Sequence, residues 1–96
     1  MSDVTGHLRA GDAKKLIRSI LQLGWVFFST HAREEMGKDE LLPRDVENVL
    51  RGGVVREPEW ENGSWRYQVE TLKIRVVIAF RDERTLIVVT AMRRNR

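Results

Sequence analysis

Hydrophobic positions along the chain change their period once, near Gly53, which divides it into a helical half and a strand half. In "GDAKKLIRSILQLG" the residues Ala13, Leu16, Ile17, Ile20 and Leu21 recur at spacings of three and four, gathering on one helical face. Asp12 suits the N-cap of that helix and Gly24 its stop. "WVFFST" is aromatic and β-branched, and predicts a short strand or an extended linker into the core. A second helix is expected from Ser29 or Thr30 to about Gly37. "LPRDVENVLRGG" predicts a third, with Pro43 at its first position, Val46, Val49 and Leu50 as the buried stripe, and Gly52-Gly53 at its end.

Beyond Gly53 the texture is that of strands. "VVREPEW" leads to "ENGS", whose Asn62-Gly63 pair signals a hairpin turn. In "WRYQVE", Trp65, Tyr67 and Val69 alternate with Arg66, Gln68 and Glu70, while "IRVVIAF" and "TLIVVTAM" are apolar on both faces, as central strands are. The expected fold is α+β, with N-terminal helices packed on one face of an antiparallel meander of three or four strands. Ile74, Val76, Ile78 and Phe80 share the bulkier, apolar face of their strand and should form its core side. Arg75 and Arg81 then point to the open side, with Arg66 from the neighbouring strand. Arg93 joins them only if the last hairpin has a three-residue turn, because a one-residue slip moves it to the other face. The length fits one domain over residues 1–96, made of a loose leader 1–11, a helical part 12–52, and a sheet with a basic tail over 53–96.

Composition narrows the chemistry. A hydrophobic share of 42% and a charged share of 32% suit a soluble domain with a thin core. With no cysteine, disulfides, thiolate zinc sites and a cysteine nucleophile are excluded. His7 and His31 stand far apart with no H-x-x-x-H spacing, and phosphate-loop, dinucleotide and nucleophile-elbow motifs are missing, so neither a metal nor a cofactor is expected. The longest apolar runs are too short to cross a bilayer, and the N-terminus lacks the apolar core of a signal peptide, so no membrane partner and a cytoplasmic location are expected. The net charge of +3 is concentrated in Lys14, Lys15 and Arg18 and in the tail with Arg93, Arg94 and Arg96. Such an excess suits an anionic partner (RNA, DNA or an acidic protein) or simply a solvated basic surface.

Three sets of residues could carry chemistry. His31 stands at the opening of the second helix, where the macrodipole favours neutral imidazole and attracts phosphate, while the neighbouring anions Glu34 and Glu35 favour the charged form. It could act as a general base, or merely cap the helix and pack against Met36. The arginines of the open sheet face could hold phosphates bidentately, or be ordinary surface charge. Tyr67 could stack on a base or donate a proton, although its alternation with Trp65 also fits the core.

The motif "S-x-H-A-x-x-x-M", formed by Ser29, His31, Ala32 and Met36, resembles the opening of domain-of-unknown-function family 4258. "DVENVLRGGVV", "RYQVE" and the closing pair "IRVVIAF…TLIVVTAM" resemble its later segments in the same order, from about Phe28 to Arg94. The resemblance implies a fold related to the RelE, ParE and MqsR-like toxins, many of which are messenger-RNA endonucleases, ribosome-dependent or free, neutralised by an antitoxin. It implies a toxin-like, metal-independent endoribonuclease with RNA or the ribosome as target. His31, Arg75 and Tyr67 would be catalytic, and Arg33, Arg66, Arg81, Arg93 and Arg94 would bind RNA. The alternative is a non-catalytic module that uses the same basic sheet face to hold a protein or nucleic acid. One departure from the family pattern concerns the residue before Met36: it is often arginine, here it is Glu35, and Arg33 lies two residues earlier. The N-terminal helix resembles an addition found in MqsR-like toxins.

Overall fold

A computed structural model describes residues 7–94. Residues 1–6 of the leader and residues 95–96 of the basic tail lie outside the described residues. The elements run α1 (Ala10–Leu23), β1 (Trp25–Phe28), α2 (Thr30–Asp39), α3 (Pro43–Gly52), β2 (Val54–Val55), β3 (Glu59–Glu61), β4 (Ser64–Glu70), β5 (Ile74–Asp82) and β6 (Thr85–Arg93).

The helices form as their stripes require. Ala13, Ile17 and Ile20 of α1, Ala32 and Met36 of α2, and Val46, Val49 and Leu50 of α3 are buried. The N-cap of α1 is Arg9, not Asp12; Asp12 instead lies in the first turn, where its charge complements the helix dipole. The start moves because Glu57 accepts from the amide of Ala10, at 3.2 Å, satisfying an orphan N–H without Asp12. Ser29 caps α2, accepting from the Ala32 amide at 3.0 Å, and the helix runs on to Asp39 rather than fading at Gly37. It ends at Glu40 in a left-handed conformation, with Leu41 donating to the carbonyl of Met36. At α3, Leu42 donates its amide to the Asp45 carboxylate at 2.8 Å and Pro43 opens the first turn.

All three helices cover one face of a six-stranded sheet ordered β1-β6-β5-β4-β2, with β3 paired to β4 as well. Every pairing is antiparallel except β1 with β6, which is parallel. The α+β arrangement is as expected, but the sheet is wider than the three or four strands expected and not wholly antiparallel. "WVFF" enters it as an edge strand because α1 returns the chain alongside β6, where the Trp25 and Ser29 amides donate to the carbonyls of Arg84 and Val88. Val76, Ile78 and Phe80 of β5 pack with Tyr67, Val69, Leu86 and Val88 beneath the helices, so the core face of β5 is the one its alternation indicates.

Two glycines are set by close approach or by turn geometry. The Glu61–Ser64 turn needs left-handed backbone at both Asn62 (φ 50) and Gly63 (φ 84), which is the turn chemistry of a tight hairpin. At Gly24 a Cβ would sit inside van der Waals contact with the Arg84 carbonyl oxygen and 3.2 Å from the Ile20 Cα. Gly24→Ala should therefore pry the end of α1 from the β5–β6 turn. Overpacking of this kind costs roughly 1–3 kcal/mol. In a domain of this size each kcal/mol lowers the melting temperature by about 4–8 °C, so an unchanged melt of Gly24→Ala contradicts the packing described.

Candidate functional site

The open face of the sheet carries a cleft of about 440 Å³ lined by Arg56, Arg66, Arg75 and Arg94, by Glu57, Glu59, Glu61 and Glu70, and by Gln68 and Val77. Strand alternation builds it: Arg66, Gln68 and Glu70 face outward from β4, and Arg75 and Val77 from β5. The register sets Glu70 directly opposite Arg75. Arg75 is thus flanked by a carboxylate and not by Arg66, which lies further along β4.

Glu70 organises the cleft. Its side chain is only 5% exposed, and a buried carboxylate must be paired or neutral. Arg75 Nε donates to its Oε2 at 2.9 Å, Arg56 Nε to its Oε1 at 2.9 Å, and Arg94 stands 3.9 Å from Oε1. The hydrogen bond from Arg75 holds the Glu70 carboxyl below the usual carboxylate range. Arg56 and Arg94 act in the same direction, against the upward push of burial. A carboxylate with a lowered native pKa contributes stability that is present above the ordinary carboxylate range and is lost as pH falls through the native value. Glu70→Gln should therefore be less stable than the wild type at neutral pH, with the gap closing in acid. Melting temperatures measured from pH 7 to pH 3 check this, and a gap independent of pH contradicts it.

Other arginines are held individually. Arg66 donates Nε to Ser64 Oγ at 2.8 Å and lies 3.9 Å from Glu61, while Arg94 donates to the carbonyl of Thr71 at 2.9 Å. Arg75 differs. It spends only Nε on Glu70, and its two terminal nitrogens make no hydrogen bond to a described residue, in a side chain 39% exposed. The result is an oriented guanidinium fork presented to the cleft.

The remaining sequence-predicted residues lie elsewhere. Tyr67 is 1% exposed and belongs to the core, 5.2 Å from the Phe80 ring. Its hydroxyl accepts from the Leu8 amide at 2.8 Å and donates to the Leu8 carbonyl at 3.2 Å. Burial pushes its phenol upward in pKa, which makes it a weaker acid, and no ring face is open for stacking. The expectation that Tyr67 is catalytic is therefore corrected: it alternates with Arg66 and so points to the helices. Arg93 pairs with Ile74 across the sheet, on the helix side, after a register shift between Val77 and Ile78. There its Nε donates to the Asp39 carbonyl at 2.8 Å and its amide to the Asp39 carboxylate, away from the cleft. A second irregularity, between Phe80 and Asp82, turns Arg81 out of the cleft row to a separate cavity beside Trp60 and Trp65.

His31 is exposed in the first turn of α2 and makes no hydrogen bond or ion pair with a described residue. It does not line the arginine cleft. Arg33 lies 5.7 Å over the ring of Phe28, and two residues along a helix turn the side chain by roughly 200°, so His31 and Arg33 occupy different flanks of α2. Sequence reasoning singled out neither Glu70 nor Arg56. The signal for Glu70 was present: it shares the outward face with Arg66, and the short Thr71–Lys73 turn brings it opposite Arg75. Among the described residues no group of three His, Asp or Glu could hold a metal ion, and no helix is long and apolar enough to cross a membrane.

The fold is similar to that of a chain in the crystal structure of the toxin–antitoxin complex RelBE2 from Mycobacterium tuberculosis. The TM-score is 0.51 at 22% identity, over 75% of this chain and 99% of that one. No curated protein matches the sequence. Residues 28–93, which run from β1 to the end of β6 and include Glu70 and Arg75, match the family described as a domain of unknown function, DUF4258. That match takes in most of the chain, which therefore belongs to the DUF4258 family.

Proposed function

We propose that this chain is the toxin-like member of a toxin–antitoxin pair, acting in the cytoplasm on RNA, free or on the ribosome, as a metal-independent endoribonuclease. The observation that carries the reading is the Arg75 fork: locked through Nε by a buried carboxylate and open at its terminal nitrogens, it is preorganised for a phosphate. Arg66 and Arg94 line the same cleft and add positive charge to it. The fold likeness to a chain of a toxin–antitoxin complex supports the pairing with an antitoxin.

Cleavage through the RNA's own 2′-hydroxyl forms a bond from that oxygen to phosphorus and breaks the bond to the 5′-oxygen. It needs a group to take one proton and a group to return one. His31 is the exposed candidate, and its place at a helix opening suits an adjacent phosphate. RNA would then run from the cleft to the start of α2. Arg33 and Arg93 drop out of the phosphate set, since Phe28 and Asp39 hold them outside the cleft.

A second reading, the non-catalytic binding module, is favoured by two observations. The cleft balances its arginines with an equal number of glutamates, and His31 lies outside it. Incubation of the purified protein with end-labelled single-stranded RNA in the presence of EDTA separates the two. The nuclease reading expects fragments ending in cyclic phosphates, with cleavage lost in His31→Ala while binding persists. RNA that is bound but left intact by the wild type means a module; RNA neither bound nor cut contradicts the RNA-directed reading.

A further inference from the structure

The β3–β4 hairpin carries aromatic rings on the face opposite the arginine cleft. Trp60 and Trp65 are cross-strand partners, 5.3 Å apart and at 70° to one another, and His7 stacks on Trp65 at 4.8 Å. Trp65 is thereby enclosed between two rings. Trp60 is not: it remains 61% exposed, and an edge-to-face contact uses at most one of its faces. Hairpin pairing accounts for the contact between the two rings but leaves the open face of Trp60 unused.

Around that ring lies a cavity of about 310 Å³ lined by Gly63 and Ser64 of the turn, by the rings of Trp65, Tyr67 and Phe80, and by Arg81. Arg81 is exposed, makes no hydrogen bond to a described residue, and interacts electrostatically with the neighbouring Asp82 carboxylate. Ser64 touches both sites, since it lines this cavity and its hydroxyl accepts from Arg66 Nε of the cleft at 2.8 Å. A flat π-face, a planar cation and small residues that keep the approach open are the parts of a base-stacking platform.

We infer that Trp60 and Arg81 form a subsite that stacks one unpaired nucleobase of single-stranded RNA next to the phosphate cleft. The inference rests on the proposal that the protein acts on RNA. The subsite reads the π-face and not the hydrogen-bonding edge, so it tolerates all bases and rejects a backbone without them.

The test uses a short single-stranded oligoribonucleotide and its abasic counterpart, titrated into the full chain, the Trp60→Ala and Trp60→Phe variants, and Arg75→Ala. For the wild type, the intact oligomer should bind about five- to a hundredfold tighter than the abasic one, the span of a single base–aromatic stack. Trp60→Ala should erase that difference, Trp60→Phe should keep most of it, and Arg75→Ala should weaken both oligomers alike. A retained melt in Trp60→Phe guards against a collapsed hairpin. Equal binding of intact and abasic oligomers by the wild type, or an undiminished difference in Trp60→Ala, overturns the subsite while leaving the phosphate cleft standing. No binding of either oligomer overturns both.

Discussion

Arg75→Ala should lose roughly ten- to a hundredfold in affinity for single-stranded RNA while keeping a near-normal melt. A charge-assisted hydrogen bond is worth about 1.5–3 kcal/mol, which sets the size of the loss. The fold should survive because Glu70, which Arg75 anchors, keeps Arg56 at 2.9 Å and Arg94 nearby, so its carboxylate is not left bare. Arg75 is also only part-buried, and its alanine replacement leaves no large void in the core, which lies on the other sheet face. Binding titrations beside thermal melts check both halves. Unchanged affinity with a normal melt makes Arg75 a surface residue, whereas lost affinity with a collapsed melt makes it structural.

Tyr67→Ala should be the most damaging single change to stability, and it should act through the core. The ring is almost fully buried against Phe80, and truncating a buried aromatic costs roughly 3–5 kcal/mol. That is a large share of the roughly 5–15 kcal/mol by which a domain is stable. Tyr67→Phe removes only the hydroxyl and its bonds to Leu8, with a cost of about 0.5–1.5 kcal/mol. The phenylalanine variant should retain any RNA binding or cleavage. Activity lost in Tyr67→Phe with a stable fold restores a chemical role to the phenol and contradicts its assignment to the core.

Much of the fold was legible because periodicity reports which face of an element is covered. The stripes of α1 and α3, the core face of β5, Gly24 as a stop and Asn62-Gly63 as a turn all follow from local pattern. The parallel partnership of β1 with β6 was not legible, since pairing between distant segments leaves no mark on the alternation of either. Arg81 and Arg93 lie off the cleft for a different reason. Arg81 falls between Phe80 and Asp82, at one irregularity of the β5–β6 ladder, and Arg93 lies beyond the other, where an extra residue reverses the side chains that follow it. Alternation alone put Tyr67 with Trp65 and Val69 on the covered face, and the burial of the ring agrees with that over its chemical appeal. Glu70 passed unnoticed because its importance arises only from neighbours: three arginines from β2's exit, β5 and the chain beyond β6 meet it after folding.

The central claim is that guanidinium groups of the open sheet face meet RNA phosphates. The most direct measurement is the salt dependence of binding of one single-stranded oligoribonucleotide to the wild type and to Arg75→Ala. Each phosphate contact contributes about −0.7 to the slope of log affinity against log salt for single strands. A site using Arg66, Arg75 and Arg94 predicts a wild-type slope near −2, made shallower by about one such step in Arg75→Ala. Binding that ignores salt, or an equal slope in the two proteins, would contradict the claim.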